Sequence, residues 1–518
     1  MKLARGGEAG LVSRRLAGTH DPVALHAALA EGGAPLLFRR TNGRALILID
    51  AALRLEASGL DARVTAASEG GAMLLDALAT RLRAHVVERA PNTVRLAFAR
   101  STASNESERA SAPTPLDVVR AMVFDARPIE QDEQFALVVA GVAGFDHVDM
   151  VEDLPPHAAG DFPDLLFLLA ETLVVIEASG AARVLALSVG SDDEAVAHRQ
   201  HHLAAERLAR LVERCAEATP PSAVAAEQCD TAERRDAAER RGAAEPDLDD
   251  AAFAERVSRL KEHIAAGDIF QAVPSRAFRT PCSDPLGAFR RLVAADPSAY
   301  QYAFDSGHGL LIGASPETAL EIERRHGALI VKVSPIAGTR PRGGSADEDD
   351  RNEADLRLDT KEVAEHLMLV DLARNDVARV AKSKTRRVAS LLDVERFARV
   401  MHLVSRVEGE LDEGKDAIDA IRACLNVGTL SGAPKLRAIE LIRSVEDSAR
   451  GPYGGAIGWI ASDGTMDSAV VIRSALVRDG VAEVRAGAGV VADSDPMAEA
   501  AETRVKARAV LEALGAGA

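Results

Sequence analysis

Two pairs of glutamates carry the strongest chemical suggestion in this chain of 518 residues. Glu362 and Glu365 stand three apart in Asp359-Thr-Lys-Glu-Val-Ala-Glu-His-Leu-Met-Leu-Val-Asp-Leu-Ala-Arg-Asn-Asp-Val-Ala-Arg379, and Glu499 and Glu502 repeat the spacing in Asp495-Pro-Met-Ala-Glu-Ala-Ala-Glu-Thr-Arg-Val-Lys506. Carboxylates at i and i+3 share a helix face and repel by a few tenths of a kcal/mol, so a cation is expected opposite them. Two such helices facing each other across a cleft form an all-oxygen site suited to Mg2+, a hard ion that keeps waters and takes a substrate oxygen. Either pair taken alone more often marks a solvated face.

The elements that must position these groups are legible in the spacing. Val363, Leu367, Val370 and Val377 predict a helix with one buried stripe. Asp495 caps the second helix with Pro496 at its first position, which puts Glu499, Glu502 and Lys506 on one side. Upstream, Ala45–Asp50 and Ala182–Ser188 read as buried strands and 198–216 as a charged helix. Ser222–Asp250, rich in Ala, Glu and Arg, reads as a mobile linker or surface insertion. Beyond it, Glu255–Ala266 is an amphipathic helix ended by Gly267, and Leu310–Ile312 and Ala328–Val333 are strands. Gly454–Val491 reads as a β meander turning at Asp463-Gly464 and Asp479-Gly480. Antiparallel strands with flanking helices indicate an α+β fold, divided as 1–220, a linker at 221–250, and 251–518.

Composition narrows the class. The length suits two to four domains at about 150 residues each, and 47% hydrophobic content supplies large cores. A net charge of -17 excludes a general nucleic-acid or anionic-membrane binder. Neither a secretory signal nor an apolar run of the ~20 residues that span a bilayer is visible, so a cytoplasmic protein with no membrane association is expected. Cys215, Cys229, Cys282 and Cys424 are too scattered for zinc-ligand spacing and are read as free thiols.

Four further segments offer chemistry, each with a plainer reading beside it. Gly428-Thr-Leu-Ser-Gly-Ala-Pro-Lys435 lacks the Gly-Lys of a phosphate loop; it is either a tight turn before a helix or an anion cradle built on Thr429 and backbone N–H groups. Gly487-Ala488-Gly489 permits close approach of a ligand to the backbone, and equally a bulge. Arg473, read as mid-strand among apolar residues, is a structural ion pair or a fork for a carboxylate. His402 is a packed core histidine or a catalytic one.

Taken together and in order, Pro335-Ile-Ala-Gly-Thr-Arg-Pro-Arg342, the Lys-Glu-x-x-Glu-His helix, Val400-Met-His402, the 428–435 segment, Tyr453-Gly-Gly455, Arg473 and Gly487-Ala-Gly489 followed by Glu499 and Glu502 resemble the chorismate-using enzymes. The closest resemblance is to component I of anthranilate synthases, and it spans about 251–515. The first 215 residues resemble that family's regulatory half more loosely, through Ile49–Arg54, Glu152–Pro155 and Leu169–Leu173.

The resemblance implies a regulatory and scaffold region interlocked with an α+β chorismate-binding domain. Ammonia would enter chorismate at C2 while the C4 hydroxyl leaves, and pyruvate would then be eliminated. It implies Mg2+ on Glu365 and Glu502, with Glu362 and Glu499 on metal waters or donating protons. Arg473, Tyr453 and the backbone at Gly487, Ala488 and Gly489 would hold the enolpyruvyl carboxylate. Gly338 and Thr339 would line the ring, Lys506 would add positive charge, Thr429 would be catalytic, and His402 would either assist pyruvate elimination or steady the ring carboxylate. Gln271 stands where isochorismate synthases place a lysine base, and Ala337 where aminodeoxychorismate synthases place a nucleophilic lysine; both favour ammonia at C2. A 2-amino-2-deoxyisochorismate synthase that omits pyruvate elimination, and a catalytically dead ligand sensor, are the alternatives.

None of the four cysteines sits in the glycine-rich elbow of a glutamine-hydrolysing nucleophile, so a separate glutamine amidotransferase subunit, in a heterotetramer, is the implied partner. The family's tryptophan site departs from its pattern here. Its Leu-Leu-Glu-Ser segment becomes Leu36-Leu-Phe-Arg39, and its Pro-Tyr-Met segment becomes Ala299-Tyr300-Gln301. A degenerate site and a secondary-metabolic role, such as phenazine or quinolone formation, are expected.

Overall fold

Two long strands, Ala45–Ser58 and Leu165–Ile176, organise the chain. They pair antiparallel over almost their whole length, with an irregular register between Leu48 and Leu53 that lets each half meet different neighbours. The computed structural model describes residues 3–30, 36–41, 43–158, 160–218, 244–396 and 400–516. One run of antiparallel strands passes from the Ala45 end through Leu36–Arg40, Tyr300–Asp305, Leu310–Ser315, Ser474–Arg478 and Val481–Gly487 to Ser275–Pro281. The other passes from the Leu165 end through Val138–Ala143, Ala456–Ala461, Met466–Val470, Thr318–Arg325 and Ala328–Val333 to Val400–Glu410.

Alternating side chains of the two runs meet in one core containing Phe38, Val142, Leu166, Tyr300, Tyr302 and Trp459. Helices carrying Leu208, Phe289 and Leu511 cover the outer face of the first run. Those carrying Leu75, Val119, Val370 and Ile418 cover the second. Each large apolar side chain so buried contributes roughly 1.5–3 kcal/mol before entropy is counted. The architecture is α+β, and N-terminal strands pair directly with C-terminal ones: Leu36–Arg40 with Tyr300–Asp305, and Val138–Ala143 with Ala456–Ala461.

Several local expectations need correction. The 454–491 segment is not a continuous meander but two hairpins, Ala456–Ala461 with Met466–Val470 and Ser474–Arg478 with Val481–Gly487, which belong to opposite runs. Their turns do use Gly464 at φ 89 and the Asp479-Gly480 pair at φ 50 and 76, left-handed values that suit these residues. The helix expected from Glu255 starts earlier, at Asp250, capped by Asp249, and Glu245–Pro246 pairs with Phe278 and Arg279. The end of the segment read as a linker therefore belongs to the fold, while 222–243 lie outside the described residues. Cys215, Cys282 and Cys424 are buried free thiols, and Cys229 lies outside the described residues.

Among the described residues no helix is long and apolar enough to cross a membrane.

Candidate active site

The first glutamate helix, Thr360–Ala378, is capped by Asp359, whose carboxylate accepts the Lys361 and Glu362 amides. It packs on the strands Ile336–Pro341 and Val400–Glu410. Its buried face runs through His366, Val370, Ala373 and Val377. Leu367, expected in that stripe, is 41% exposed; its place is taken by His366, which is wholly buried and bonded through Nε2 to Ser405 Oγ at 2.6 Å. The second helix, Pro496–Leu514, has the Asp495 cap and the Pro496 start that its sequence calls for, and ends on Gly515 at φ 88. It lies against Val481–Gly487 and the helix Asp250–Ala265. Fully buried Arg276 fastens it there, donating to Thr503 Oγ1 and the Ala500 carbonyl.

These supports bring the two glutamate pairs within each other's field. Burial raises the Glu365 carboxyl pKa; Lys361 opposes this, and Glu362, Glu499 and Glu502 push further upward. Glu362 and Glu499 are raised for the same leading reason, burial, with the Glu502 charge adding to it in both. Glu365 Oε1 and Glu499 Oε2 are shut off from solvent and have no hydrogen-bond partner among the described residues. Lys361 Nζ stands 3.8 Å from Glu365 Oε1, too far for a hydrogen bond. A buried carboxylate oxygen left without one costs on the order of 1–3 kcal/mol, and a divalent cation would relieve both that defect and the like-charge repulsion.

The donor set, four carboxylates with an unpartnered oxygen on Glu365 and on Glu499, therefore fits Mg2+. Among the described residues the one trio of Asp, Glu, His or Cys with ligand atoms all within 4.8 Å is Asp146, Asp149 and His157. There Arg443 already neutralises both aspartates, at 2.6 and 2.8 Å.

Cationic groups complete the cleft. Lys506 Nζ lies 2.6 Å from Glu502 and donates to the Gly487 carbonyl at 3.1 Å. Arg473 is not mid-strand. It occupies the break between the two hairpins at φ 50, where the chain passes from one strand run to the other. Its guanidinium makes no hydrogen bond or ion pair among the described residues, and burial lowers its pKa against the pull of Asp296, Tyr453 and Glu502. A half-buried arginine kept without a carboxylate partner is poised to receive one.

Tyr453 is buried, its hydroxyl pKa pushed up to about 12 mainly by burial and lowered slightly by the Gly487 amide that donates to it. Gly487 has to be glycine, since a Cβ there would lie 2.6 Å from the Pro274 carbonyl and 3.0 Å from the Tyr453 hydroxyl. Ala488 is fully buried and gives its amide to Pro274. A Cβ on Gly489 would stand 3.0 Å from Gln271 Nε2. Gln271 is itself buried with Oε1 lacking a partner.

On the opposite wall, Gly338 at φ 69 sits beside Glu362, where a Cβ would lie 3.3 Å from Oε2. His402 Nδ1 faces the Gly338 carbonyl at 3.0 Å and Thr339 Oγ1 at 3.1 Å. A carbonyl only accepts, so Nδ1 carries the proton, and burial lowers the ring's pKa. Ala337 pairs with Leu403 in the same sheet. The 428–435 segment is a turn leading into the helix Lys435–Val445, and its Thr429 hydroxyl donates to Glu317 Oε1 at 2.5 Å.

Glu317 is the group sequence reasoning missed. It follows the strand Leu310–Ser315, is only 7% exposed, and has its carboxyl pKa pushed up to about 7 by burial, against Thr429 and the nearby charge of Lys506. It has no salt-bridge partner among the described residues. The available signal was Ser315-Pro316-Glu317, a charged residue ending an apolar strand behind a proline.

The remote pair of segments is also brought together. Arg39 lies directly across from Gln301, and Arg40 from Tyr300. Tyr300 points into the core between the strand runs, donating to Asp467 at 2.8 Å under the Arg40 guanidinium. Gln301 is 2% exposed with Oε1 unpartnered, and Ala299 packs against the core.

Interleaved antiparallel strands thus gather four glutamates from two helices near an arginine that has no ion-pair partner among the described residues. This chain belongs to the chorismate-binding enzyme family, which matches residues 82–512. It is 44% identical over 483 residues to the anthranilate synthase component 1 of Pseudomonas aeruginosa described as pyocyanine specific, covering 91% of this chain and 87% of that one. It is 40% identical over 514 residues to the anthranilate synthase component 1 of Vibrio cholerae, covering 96% and 94%. Its fold resembles the crystal structure of anthranilate synthase component I from Streptococcus pneumoniae, with TM-score 0.67, 26% identity, and coverage of 90% of this chain and 92% of that one.

Proposed function

We propose that this chain is the catalytic component of an anthranilate synthase, which turns chorismate and ammonia into anthranilate, pyruvate and water. The observation that carries the reading is that Glu365 and Glu499, each with a buried oxygen lacking a hydrogen-bond partner, and the Arg473 guanidinium all lie within the field of Glu502. Together they match a substrate with two carboxylates, one taken through a cation and one by a fork.

Glu365 and Glu502 would hold Mg2+ with Glu362 and Glu499 on its waters, and the bound ion supplies charge neutralisation for the ring carboxylate. Arg473 and the Tyr453 hydroxyl take the enolpyruvyl carboxylate. The Gly487 amide is already directed at Tyr453, so it steadies the tyrosine rather than the substrate.

Hydroxide is a poor leaving group, and the C4 hydroxyl needs a proton as ammonia bonds to C2. Glu317, near-neutral and oriented by Thr429, suits this role better than Glu362 or Glu499, whose carboxylates are wanted ionised by the metal. The proton shed by the newly bound ammonium restores Glu317. Gln271, an amide in place of a base, leaves water unactivated. His402, with its proton held on Nδ1, faces the ring from the Thr339 side, where the C2 proton is removed as pyruvate leaves. The test is Mg2+-dependent chorismate consumption with ammonium chloride: anthranilate fluorescence appears if the reading holds. Accumulation of the aminated, pyruvate-bearing intermediate instead would assign the chain to amination alone.

The source of ammonia is a separate subunit. The three described cysteines are buried, with thiol pKa values raised mainly by burial, the opposite of an activated nucleophile. The purified chain is expected to make anthranilate from ammonium and none from glutamine; glutamine-driven turnover by the single chain would refute the need for a partner.

The pocket for tryptophan feedback is degenerate. Arg39 brings bulk and positive charge where an ammonium group would sit, and Gln301 replaces soft apolar packing with a buried amide. Each lost contact weakens binding by about 1–3 kcal/mol, roughly ten- to a hundredfold. Tryptophan is therefore expected to leave the rate unchanged at micromolar concentrations. Half-inhibition in the low micromolar range would return the enzyme to feedback-controlled tryptophan synthesis. Insensitivity fits a role in making a secondary metabolite, as the name of the Pseudomonas relative suggests for that protein.

A further inference from the structure

Three segments that build the proposed substrate site converge on one buried arginine. Arg450 lies in the loop that follows the helix Lys435–Val445 and is only 5% exposed. Its guanidinium forks Glu446, with Nε 2.8 Å from Oε2 and Nη2 2.7 Å from Oε1. Nη1 donates to the Leu430 carbonyl at 2.8 Å and Nη2 to the Val273 carbonyl at 2.6 Å. The Phe145 and Tyr453 rings lie 4.2 and 5.8 Å from it, and the Arg450 carbonyl accepts the Tyr453 amide at 3.1 Å. Glu446 extends the cluster to the sheet. Its Oε1 accepts the Ser275 amide at 2.6 Å and hydroxyl at 2.9 Å, and Ser275 pairs directly with Gly487. Buried Arg485 stands 3.8 Å from Glu446 and donates to the Ser275 hydroxyl at 3.2 Å.

We propose that Arg450 is a positioning residue for the enolpyruvyl carboxylate of the substrate, acting through Tyr453 and through the segments that carry Thr429 and Gly487. The inference rests on the proposed anthranilate synthase reading and adds the group that holds this half of its site in register. The contacts of the cluster end at, or one residue from, parts of that site: Leu430 adjoins Thr429, Ser275 faces Gly487, and Tyr453 itself lies against the guanidinium. A flat guanidinium with five donors in a fixed fork can hold a carboxylate and two carbonyls at once. The charges, moreover, do not balance. Two arginines meet one carboxylate, all three buried, and Arg485 Nε has no hydrogen-bond partner among the described residues. A buried charge in excess is costly, and the anion that offsets it is the carboxylate that Tyr453 and Arg473 receive. A fastening of these loops alone would need the hydrogen bonds but not the extra positive charge.

The experiment uses the full chain with saturating Mg2+ and ammonium chloride. Arg450→Lys keeps the charge but offers a point where the guanidinium offers a fork, so it cannot hold Glu446 and both carbonyls together. Its KM for chorismate is expected to rise about tenfold while kcat stays within about threefold, the signature of lost ground-state binding. The inhibition constant of benzoate, which presents a ring carboxylate alone, is expected to stay within about twofold. In a Tyr453→Phe background the same change should raise KM by less than about threefold, because the hydroxyl through which Arg450 acts is gone. An arginine that only fastens the loops would lower kcat through the folded fraction, or weaken benzoate as much as chorismate; either result overturns the proposal. So does an unchanged KM, or an undiminished rise in KM without the Tyr453 hydroxyl. If Arg450→Lys does not fold, the isosteric Glu446→Gln, which loosens the fork, is expected to raise KM about threefold with benzoate unaffected, and an unchanged KM there overturns the proposal equally. Absence of anthranilate from the wild type would instead refute the catalytic reading on which it rests.

Discussion

Replacing Glu317 by glutamine is expected to lower kcat about a thousandfold, within the range of general acid catalysis, while the KM for chorismate moves less than about threefold. The amide keeps the size of the side chain and accepts the Thr429 hydrogen bond, but has no proton to give to the C4 hydroxyl. The wild-type rate is expected to fall as pH rises through about 7, where burial has placed the Glu317 pKa, and the residual rate of the glutamine variant loses that limb.

Stability supplies an independent readout. The folded-state pKa lies above the ordinary value of 4.5, so the contribution of the neutral carboxyl is fully present below pH 4.5 and is lost as pH rises through about 7. Glu317→Gln, neutral throughout, should therefore melt above the wild type at pH 8 and alongside it near pH 4.5. Equal melting at both pH values would mean that the carboxyl is not buried as described, and an unchanged kcat would leave protonation to another group.

What the sequence could and could not disclose follows from how far each feature depends on contacts remote in the chain. The Asp495-Pro496 start of the second glutamate helix, the Glu-x-x-Glu spacings and the Asp479-Gly480 turn are local, and the structure matches them. The α+β class and the pairing of N-terminal with C-terminal strands followed from a resemblance carried by many segments in order. Leu367 lies outside the buried stripe because hydrophobicity alone does not decide which residue of a helical turn faces inward. His366 lies inside instead, at the cost of burying a polar ring, because Ser405 from another strand meets it.

Val471-Ile472-Arg473 looked like the middle of a strand, since apolar neighbours cannot report that the chain changes sheet there or that Arg473 takes a positive φ. Glu317 was unreadable for the same reason. Its neutral character comes from burial beneath Thr429, 112 residues away; Ser-Pro-Glu marks the position as unusual but carries no information on that burial.

Glu365→Gln should abolish Mg2+-dependent turnover, with a loss of at least about a thousandfold, since the charge neutralisation that the ion would supply to the ring carboxylate is worth several kcal/mol. Its effect on the empty protein has the opposite sign. The carboxylate is half-buried, its Oε1 has no hydrogen-bond partner, and its pKa is raised first by burial and then by Glu362, Glu499 and Glu502 against the pull of Lys361. A raised folded-state pKa means that ionised Glu365 destabilises the fold once pH passes that value. The amide removes one of four mutually repelling charges without opening a cavity.

In chelator at pH 8 the variant should melt higher than the wild type. Added Mg2+ raises the melting temperature of the wild type, by binding the folded state alone, and leaves that of the variant nearly unmoved. The order of the two melting curves therefore narrows or inverts with the ion, whether or not chorismate is turned over. Glu502→Gln loses activity in the same way, but the gain in chelator is smaller, because Glu502 is already matched by Lys506 at 2.6 Å and the substitution leaves that lysine with one partner fewer. A Glu365→Gln variant that keeps both its turnover and its Mg2+-induced shift would remove Glu365 from the metal site and leave the two glutamate helices as a charged lining of the cleft.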